Sequence, residues 1–305
     1  MRVAVTGANG FVGRWLIAEL RSAGHESVEL EPGRDIRDAG ELRAWLRSVR
    51  PDAIAHLAAV SFGPDARARP AEAFEINVGG TIALMEAIRE LEPSPVVLVT
   101  GSSEVYGIPN ADDLPLRESQ PLAPTNLYGL SKAAQEAVAI AFASWHGMRV
   151  VVTRAFNHIG PGQRPDFVVP ALTARLLAVR SGTTDRVRVG NLHVRRDLTD
   201  VRDVVVAYRV LLEGLAAGTI ASGGVIFNVA SGRCVEIDHA LARLAQLIGV
   251  SPTIEVDPEL VRASDAPEIV GDPSAIEDAV GWQPRIPLDQ TLSDIVETAL
   301  SATRS

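Results

Sequence analysis

The chain has 305 residues, of which 47% are hydrophobic and 22% charged, a composition typical of a soluble globular protein with a sizeable core. The formal net charge of −9 argues against general nucleic-acid binding, which requires a basic surface. No apolar run approaches the roughly 20 residues of a membrane-spanning helix, and the single cysteine, Cys234, excludes an internal disulfide and a thiolate metal cluster.

The start of the chain bears on its expected location. The first strand is predicted to begin at Arg2, which leaves no room for a signal peptide. We therefore expect a cytoplasmic protein with no nucleic-acid partner and no membrane partner. His56, His158 and His193 do not have the spacing of metal ligands, so no metal site is predicted.

Short apolar runs alternate with helical patterns through the first half of the chain. In chain order they predict a strand at 3–6, a helix at 11–23, a strand at 27–30, a helix at 39–49, a strand at 53–56, a helix at 72–91, a strand at 95–100, a helix at 126–146 and a strand at 149–153. Such alternation is typical of βαβ units. The fold class is therefore predicted as α/β, a doubly wound parallel sheet (Rossmann fold) with helices on both faces.

The second half of the chain is less regular. Its patterns predict helices at 168–180 and 201–215, a strand at 225–229, and helices at 238–248 and 288–300. We interpret it as a smaller C-terminal substrate-binding lobe, interleaved with late elements of the sheet. Residues 1–157 and about 191–231 are assigned to the sheet domain, and about 158–190 and 232–305 to the lobe.

A glycine-rich turn lies between the first predicted strand and the first predicted helix. Residues 6–13 read Thr-Gly-Ala-Asn-Gly-Phe-Val-Gly. In this pattern Gly7 permits a tight turn, Gly10 lets the backbone approach a pyrophosphate, and Gly13 allows close packing of helix on strand. The helix N-terminus offers free N–H groups to phosphates. An ordinary strand–turn–helix corner is the alternative, but the position before a βαβ pattern favours dinucleotide binding.

The segment after the second strand does not choose between NAD and NADP. An acidic residue there would hold the ribose 2′-hydroxyl of NAD, and an arginine would accommodate the 2′-phosphate of NADP. Residues 29–36 read Glu-Leu-Glu-Pro-Gly-Arg-Asp-Ile and contain both kinds of residue. The sequence is therefore compatible with either NAD or NADP as the cofactor.

A tyrosine and the only lysine of the chain, Tyr128 and Lys132, stand at i and i+4 of a predicted helix and share a face. A tyrosine whose pKa is about 10 is a poor acid–base catalyst at neutral pH, and a nearby ammonium is expected to lower that pKa. Every other basic side chain is an arginine, so Lys132 is expected where a compact ammonium is required. An ordinary helix pair is the alternative.

A further polar segment follows the fourth strand, where doubly wound sheets place ligands. Residues 100–107 read Thr-Gly-Ser-Ser-Glu-Val-Tyr-Gly. A serine at this place, Ser102, can donate a hydrogen bond to a carbonyl oxygen that gains negative charge. The alternative is a loop that is merely rich in turn formers.

These motifs occur in the order of the extended short-chain dehydrogenase/reductase family, which the chain resembles nearly end to end. Two more segments carry the resemblance, His-Leu-Ala-Ala at 56–59 and Asn-Val-Gly-Gly-Thr at 77–81. The family includes nucleotide-sugar epimerases, dehydratases and reductases. Runs at 156–163, 189–192, 196–204 and 281–284 resemble its GDP-mannose branch, and the run after His158 is more similar to GDP-6-deoxy-4-keto-mannose reductases than to GDP-mannose 4,6-dehydratases.

The resemblance implies a role for each matching residue. Tyr128 would be the general acid. Lys132 would adjust the pKa of Tyr128 and bind the nicotinamide ribose, and Ser102 would donate a hydrogen bond to the substrate oxygen. The implied NAD or NADP contacts are Gly7, Gly10, Phe11, Val12, Gly13, Asp35, Ile36, Leu57, Ala58, Ala59, Asn77, Thr100, Tyr128 and Lys132. The implied substrate contacts are Ser61, Ser103, Asn157, Val169, Arg196 and Arg262. Surface ion pairing is the alternative role of the two arginines.

The function that the resemblance implies is NAD(P)H-dependent reduction at C4 of a nucleotide-linked 4-keto-6-deoxy sugar, GDP-4-keto-6-deoxy-D-mannose in the first instance. The alternative is a GDP-mannose 4,6-dehydratase or sugar-nucleotide epimerase with tightly bound NAD(P), because Glu104 stands where related dehydratases have a catalytic glutamate. A non-catalytic nucleotide-sensing protein is a third possibility. The resemblance also implies a homodimer, because relatives often dimerise through the helices that correspond to 72–91 and 126–146.

Overall fold

The computed structural model describes residues 1–221, 223–261 and 266–302. Its strands are β1 (Arg2–Thr6), β2 (Glu26–Glu29), β3 (Ala53–His56), β4 (Val96–Thr100), β5 (Val150–Ala155), β6 (Asn157–Ile159), β7 (Arg186–Val189), β8 (Arg195–Asp200), β9 (Val225–Val229), β10 (Cys234–Glu236), β11 (Thr253–Val256) and β12 (Glu268–Ile269). Its α-helices are α1 (Phe11–Ser22), α2 (Ala39–Val49), α3 (Gly63–Ala68), α4 (Pro70–Phe74), α5 (Gly80–Ile88), α6 (Leu127–His146), α7 (Val168–Arg180), α8 (Val201–Ala217), α9 (Ile237–Ile248), α10 (Ser274–Val280) and α11 (Leu288–Ala302).

A six-stranded parallel sheet in the order β2-β1-β3-β4-β5-β9 forms the larger part of the molecule. The chain moves outward from β1 to β2 and then returns to the other side of β1 with β3. Open sheets of this kind bind ligands in the crevice at such a reversal, beyond the carboxyl ends of the strands. The predicted doubly wound α/β sheet is confirmed, and it places the glycine turn and residues 57–62 at the crevice.

Helices cover both faces of this sheet, which explains why its inner strands β1, β3, β4 and β5 are largely apolar. On one face α1 and α8 pack against side chains such as Val3 and Val5. On the other face α2, α5 and α6 pack against side chains such as Ala4 and Ile54. Among the described residues, no helix combines the length and apolar character that a bilayer crossing needs.

Within the described residues, the smaller part of the molecule contains two small sheets and three helices. Strand β8 pairs with β6, β10 and β12, and β7 pairs in parallel with β11. Helices α7, α9 and α11 enclose a second core that contains Leu172, Leu244 and Leu292. The predicted smaller lobe is thus present.

The helix predicted at 72–91 is interrupted. Helix α4 continues into a π-helical turn at Glu75–Gly79, and α5 follows it and ends at Ile88. Asn77 lies in the π turn and its side chain is fully buried. A π turn inserts one extra residue into the helix and is frequent at functional sites.

The packing changes the predicted domain assignment in two places. Strand β8, which the prediction placed with the large sheet, pairs only with strands of the small sheet among the described residues. Ile276 and Trp282, which it placed in the lobe, are buried in the core between the large sheet, α1 and α8. The Trp282 indole N–H also donates to the carbonyl oxygen of Asp203 at 3.0 Å.

Candidate active site

The carboxyl ends of three neighbouring strands bring the candidate site together. Strands β1, β3 and β4 end at Thr6, His56 and Thr100, and the glycine turn, residues 57–62 and the segment 101–107 continue from them. The first turns of α6 lie against this edge, because the Lys132 ammonium donates to the carbonyl oxygen of Thr100 at 2.9 Å. The sequence-predicted Tyr-Lys pair and glycine turn therefore belong to one region.

The glycine turn is shaped by close backbone contacts. Gly7 has a φ of +71°, and a Cβ atom there would lie 2.7 Å from the backbone nitrogen of Ala58. A Cβ atom on Gly13 would lie 2.3 Å from the carbonyl oxygen of Gly7. Any larger residue at these positions would separate the turn from α1 or from residues 57–62.

The N-terminus of α1 fits a diphosphate. Its first intrahelical hydrogen bond runs from the Arg14 N–H to the Gly10 carbonyl oxygen, 3.1 Å, so the N–H groups of residues 11–13 face the helix end. The first turn of α1, all within the described residues, carries no acidic side chain. The positive end of the helix dipole is therefore not neutralised locally, and the turn suits the pyrophosphate of a dinucleotide.

Lys132 lies buried at the centre of the site, with 2% of its surface exposed. Its Nζ donates to the Thr100 carbonyl oxygen at 2.9 Å and to Gln135 Oε1 at 2.8 Å. Burial disfavours the charged ammonium and lowers the pKa of Lys132 to about 7. Arginine could not occupy this position in the same way, since its planar fork carries five N–H donors.

The Tyr128 side chain is buried next to Ser102 and Glu104. Burial raises the pKa of the Tyr128 phenol, the Glu104 carboxylate raises it further, and a hydrogen bond with Ser102 lowers it. The expected net lowering of this pKa is therefore wrong for the protein as it stands, because burial outweighs the stabilisation of a phenolate. A phenol of this kind stays protonated at neutral pH, which suits a proton donor.

Glu104 is exposed and helps to hold the start of α6. The Asn126 side chain caps α6 by accepting from the Gly129 N–H at 2.8 Å, and its amide nitrogen donates to Glu104 Oε2 at 2.6 Å. Ser102 caps the short 3₁₀ helix at Ser103–Tyr106 by accepting from the Glu104 N–H at 3.2 Å. Ser102 and Glu104 are thus brought together with Tyr128, and both Ser102 and Ser103 are buried.

Asn77 holds residues 57–62 against α6. Its side chain accepts from the Val60 N–H at 2.8 Å and donates to the Val60 carbonyl oxygen at 3.1 Å and to Ser131 Oγ at 2.9 Å. The Asn77 amide therefore positions the segment that carries Ala58 and Ala59. The sequence analysis predicted only a direct cofactor contact for Asn77 and did not include this positioning role.

The predicted adenine neighbours differ from each other. Asp35 is exposed and is paired with Arg37 at 2.6 Å, and this ion pair lowers the pKa of the Asp35 carboxyl to about 2. Ile36 is buried and packs against Gly80, where a Cβ atom would lie 2.7 Å from Ile36 Cγ2. Ile36 thereby connects the segment after β2 to the start of α5.

The predicted substrate contacts are only partly gathered. Ser61 and Asn157 are exposed at the edges of the crevice loops. Val169 is fully buried in the core of the lobe, so its side chain offers no surface to a ligand, whereas Val168 is 40% exposed. The Arg196 guanidinium donates to the carbonyl oxygen of Ala266 at 2.8 Å. Arg262 lies outside the described residues.

The sequence prediction missed a buried series of hydrogen bonds. It runs from Thr6 through His56, Thr81 and Gln135 to Lys132, with successive distances of 2.8, 3.0, 2.9 and 2.8 Å. The i+3 spacing of Gln135 from Lys132 was a usable signal, while His56 was interpreted as structural. In the described ranges, no group of three or more His, Cys, Asp or Glu side chains is placed to hold a metal ion.

Comparison with known proteins gives three findings. The sequence profile of the GDP-mannose 4,6-dehydratase family matches residues 32–295. A GDP-6-deoxy-D-mannose reductase of Pseudomonas aeruginosa is 35% identical over 299 residues, which cover 97% of this chain and 96% of that protein. A GDP-6-deoxy-D-talose 4-dehydrogenase of Aggregatibacter actinomycetemcomitans is 29% identical over 286 residues, which cover 92% of this chain and 92% of that protein.

A solved structure shares the whole architecture. The structure of RMD from Pseudomonas aeruginosa complexed with NADPH has a TM-score of 0.90 and 34% sequence identity, and the match covers 99% of both chains.

Proposed function

The chain belongs to the GDP-mannose 4,6-dehydratase family of short-chain dehydrogenases/reductases, and on this premise we propose that it is an NAD(P)H-dependent reductase of a nucleotide-linked 4-keto-6-deoxy sugar. The substrate proposed is GDP-4-keto-6-deoxy-D-mannose. The observation that carries the proposal is the end-to-end match to a GDP-6-deoxy-D-mannose reductase, together with Ser102, Tyr128 and Lys132 at one edge of the sheet.

The proposed cofactor is NADPH or NADH, held along the carboxyl edge of the sheet. The backbone of residues 7–13 and the N-terminus of α1 would hold the pyrophosphate, since Gly7 and Gly13 leave no room for a Cβ atom against their neighbours. The remaining contacts proposed are those predicted from the sequence, with Asn77 acting through its hold on Val60. When bound, the reduced nicotinamide supplies the hydride.

The residues of this chain supply the proton and stabilise the developing charge. Ser102 would donate a hydrogen bond to the C4 oxygen of the substrate. As C4 becomes tetrahedral, the Tyr128 hydroxyl gives its proton to that oxygen, and the C=O group becomes a CH–OH group. The raised pKa of Tyr128 keeps this proton in place until then. The nearby Lys132 ammonium would stabilise the phenolate until water returns the proton.

The substrate side of the site is proposed to extend from the crevice toward the lobe. Asn157 lies on β6 and Arg196 on β8, two strands that pair with each other, and Ser61 lies between β3 and α3. Ser103 would act from behind Ser102. An arginine near the diphosphate of a GDP-sugar would offer bidentate hydrogen bonds. The sheet domain and the lobe predicted from the sequence would bind cofactor and nucleotide-sugar respectively, in a protein proposed to work in the cytoplasm.

One observation supports a second candidate, a GDP-mannose 4,6-dehydratase or an epimerase. The Glu104 carboxylate acts electrostatically on the Tyr128 phenol, so it lies close to the reacting region. An enzyme of this kind would retain its NAD(P) and would show no net consumption of it. The hydrogen bond from Asn126 to Glu104 gives that carboxylate a capping role as well.

The experiment that tests the proposal follows NADH and NADPH absorbance with GDP-4-keto-6-deoxy-D-mannose, made in the cuvette by a separate dehydratase. We expect stoichiometric oxidation of one or both cofactors. Tyr128→Phe should lower kcat by about 10²–10⁴-fold with little change in KM, because only proton transfer is removed. Conversion of GDP-mannose by the protein alone, without NAD(P)H oxidation, would establish the dehydratase instead.

The product also distinguishes between the two relatives. Mannose and talose differ in configuration at C4, the carbon that receives the hydride. NMR of the product sugar therefore reports which face of C4 is open to the cofactor.

A further inference from the structure

Gln135 is a buried polar side chain for which the proposed chemistry gives no role. It lies on α6, three residues after Lys132, and is 1% exposed. Its Oε1 accepts from Lys132 Nζ at 2.8 Å, and its Nε2 donates to Thr81 Oγ1 at 2.9 Å. Both ends of the amide are therefore engaged, one by the only lysine of the chain and the other by the first turn of α5.

The orientation of the Gln135 amide is fixed by Thr81. The Thr81 hydroxyl donates its single hydrogen to the Asn77 carbonyl oxygen at 2.7 Å. Thr81 Oγ1 can then only accept, from Gln135 Nε2 and from His56 Nε2 at 3.0 Å. A flipped amide would place its NH₂ group against an ammonium and its oxygen against an oxygen without a free hydrogen, so Oε1 must face Lys132.

The same reasoning fixes the proton on His56. Since His56 Nε2 donates to Thr81, its Nδ1 accepts from the Thr6 hydroxyl at 2.8 Å. Thr6 Oγ1 in turn accepts from the Ala58 N–H at 3.3 Å. Burial lowers the pKa of His56 to about 3, so the imidazole stays neutral. The direction of every hydrogen bond in the series is therefore fixed. Thr6 donates to His56 and His56 to Thr81, while Lys132 donates to Gln135 and Gln135 to Thr81, so the two halves of the series converge on Thr81 Oγ1.

We propose that Gln135 is a positioning residue that fixes the Lys132 ammonium against the Thr100 carbonyl oxygen and leaves one of its three N–H groups for the reaction site. Two N–H groups have oriented, buried acceptors, so the ammonium cannot turn freely. The ionisable group that acts on it electrostatically is His56 on β3. Tyr128 lies one turn earlier on the same helix, and Glu104 acts on that tyrosine. The relevance to ketoreduction rests on the proposed function, whereas the position of the ammonium does not.

The single lysine allows a direct test without substrate. Lysine labelled with ¹³C at Cε gives one protein signal, whose shift with pH reports the Lys132 pKa. Gln135→Glu places a carboxylate beside Nζ and should raise that pKa by about one unit or more. Gln135→Met has the same length but no acceptor, and should lower it, because the charged form loses a hydrogen bond.

The alkaline limit of turnover is expected to shift in the same direction as the pKa of Lys132. Reduction needs a charged Lys132, so activity is lost as pH rises through its pKa, and this alkaline limit should move up in Gln135→Glu and down in Gln135→Met. Ile88→Ala, a cavity at the far end of α5, serves as the control that lowers the free energy of unfolding without either shift. Thr81→Val should produce a smaller downward shift, and it provides the same readout if the Gln135 variants do not fold.

Two outcomes distinguish the positioning role of Gln135 from the proposed ketoreductase function. A lysine titration that moves as expected in protein that turns over no sugar nucleotide keeps Gln135 as the positioning residue and removes the proposed function. A lysine titration that is identical in wild type, Gln135→Glu and Gln135→Met overturns the inference, whatever happens to stability.

Discussion

Lys132 shows how one side chain is selected by its surroundings. The ammonium lies between the Thr100 carbonyl oxygen and Gln135 Oε1, with almost no exposure to water. A compact donor with three N–H groups can satisfy two such acceptors and still keep one for the site. In a chain that otherwise uses only arginine, this requirement accounts for a lysine at this position.

The burial of Lys132 predicts a pH dependence of stability. Its pKa falls from 10.5 to about 7 on folding. Between these values the unfolded chain binds more protons than the folded chain, so the free energy of unfolding rises with pH. Relative to Lys132→Met, wild type should gain up to about 1.4 kcal/mol per pH unit from pH 7 to pH 9. Urea denaturation at several pH values measures this, and parallel curves would show that Lys132 titrates alike in both states.

At this scale the sequence predicts residue types better than their ionisation. The i, i+4 spacing predicts that Tyr128 and Lys132 act at one site, and both side chains are buried on α6. The direction of the Tyr128 pKa shift was wrong, because the spacing does not reveal that the phenol is buried beside Glu104. Gln135 was missed for the same reason, since its contact with Thr81 of α5 joins positions 54 residues apart.

The turn between β1 and α1 is the element on which cofactor binding is proposed to depend. Gly13→Ala would place a Cβ atom 2.3 Å from the Gly7 carbonyl oxygen and 2.6 Å from that of Ala8. We expect a loss of about 1–3 kcal/mol in the free energy of unfolding and at least a tenfold weaker binding of NADPH, as α1 moves away from the turn.

Gly63→Ala is the matched control for this prediction. Gly63 begins α3, its φ is not positive, and a Cβ atom there meets no atom within 4 Å. Denaturation and titration of NADPH fluorescence should show little change in this variant. Equal NADPH affinity in Gly13→Ala and wild type would mean that the turn does not hold the cofactor.

The predictability of elements followed their burial. The inner strands of the large sheet are largely apolar and appeared as continuous apolar runs. The helices that cover them appeared through the helical periodicity of their apolar residues. Strands β6, β10 and β12 are two or three residues long and partly exposed, so they carry no apolar run or alternation that a window can detect. The π turn at Glu75–Gly79 was hidden because its residues have an ordinary helical pattern.

At the scale of the molecule, one group of apolar side chains on α5 and α6 is left exposed on the surface of the monomer. Helix α6 carries the exposed side chains of Leu127, Leu130 and Trp145, the last 75% exposed, and α5 adds Ile82. These are the two helices through which the family resemblance implies a homodimer. Exposed large apolar side chains grouped on two neighbouring helices are typical of a protein interface, and we propose that two copies pack there as a four-helix arrangement.

Replacement of a small residue in the middle of this face tests the dimer. Ala137 is exposed on α6 between Leu130 and Trp145. Ala137→Arg should give a monomeric mass in light scattering where wild type gives a dimeric one, because a buried unpaired charge is costly. Val256→Arg changes an equally exposed apolar residue on β11 and should remain dimeric. A monomeric wild type would contradict the proposal.

The order in which the large sheet is completed has a consequence on the ribosome. Strand β5 ends at Ala155, and β9, its outer partner, begins about 70 residues later at Val225. At typical elongation rates the apolar edge of β5 emerges roughly 4–14 s before its partner does. An unpaired edge is a template for pairing with another chain. Nascent chains on the same messenger therefore expose the β5 edge to one another during that interval, until β9 is translated and covers it.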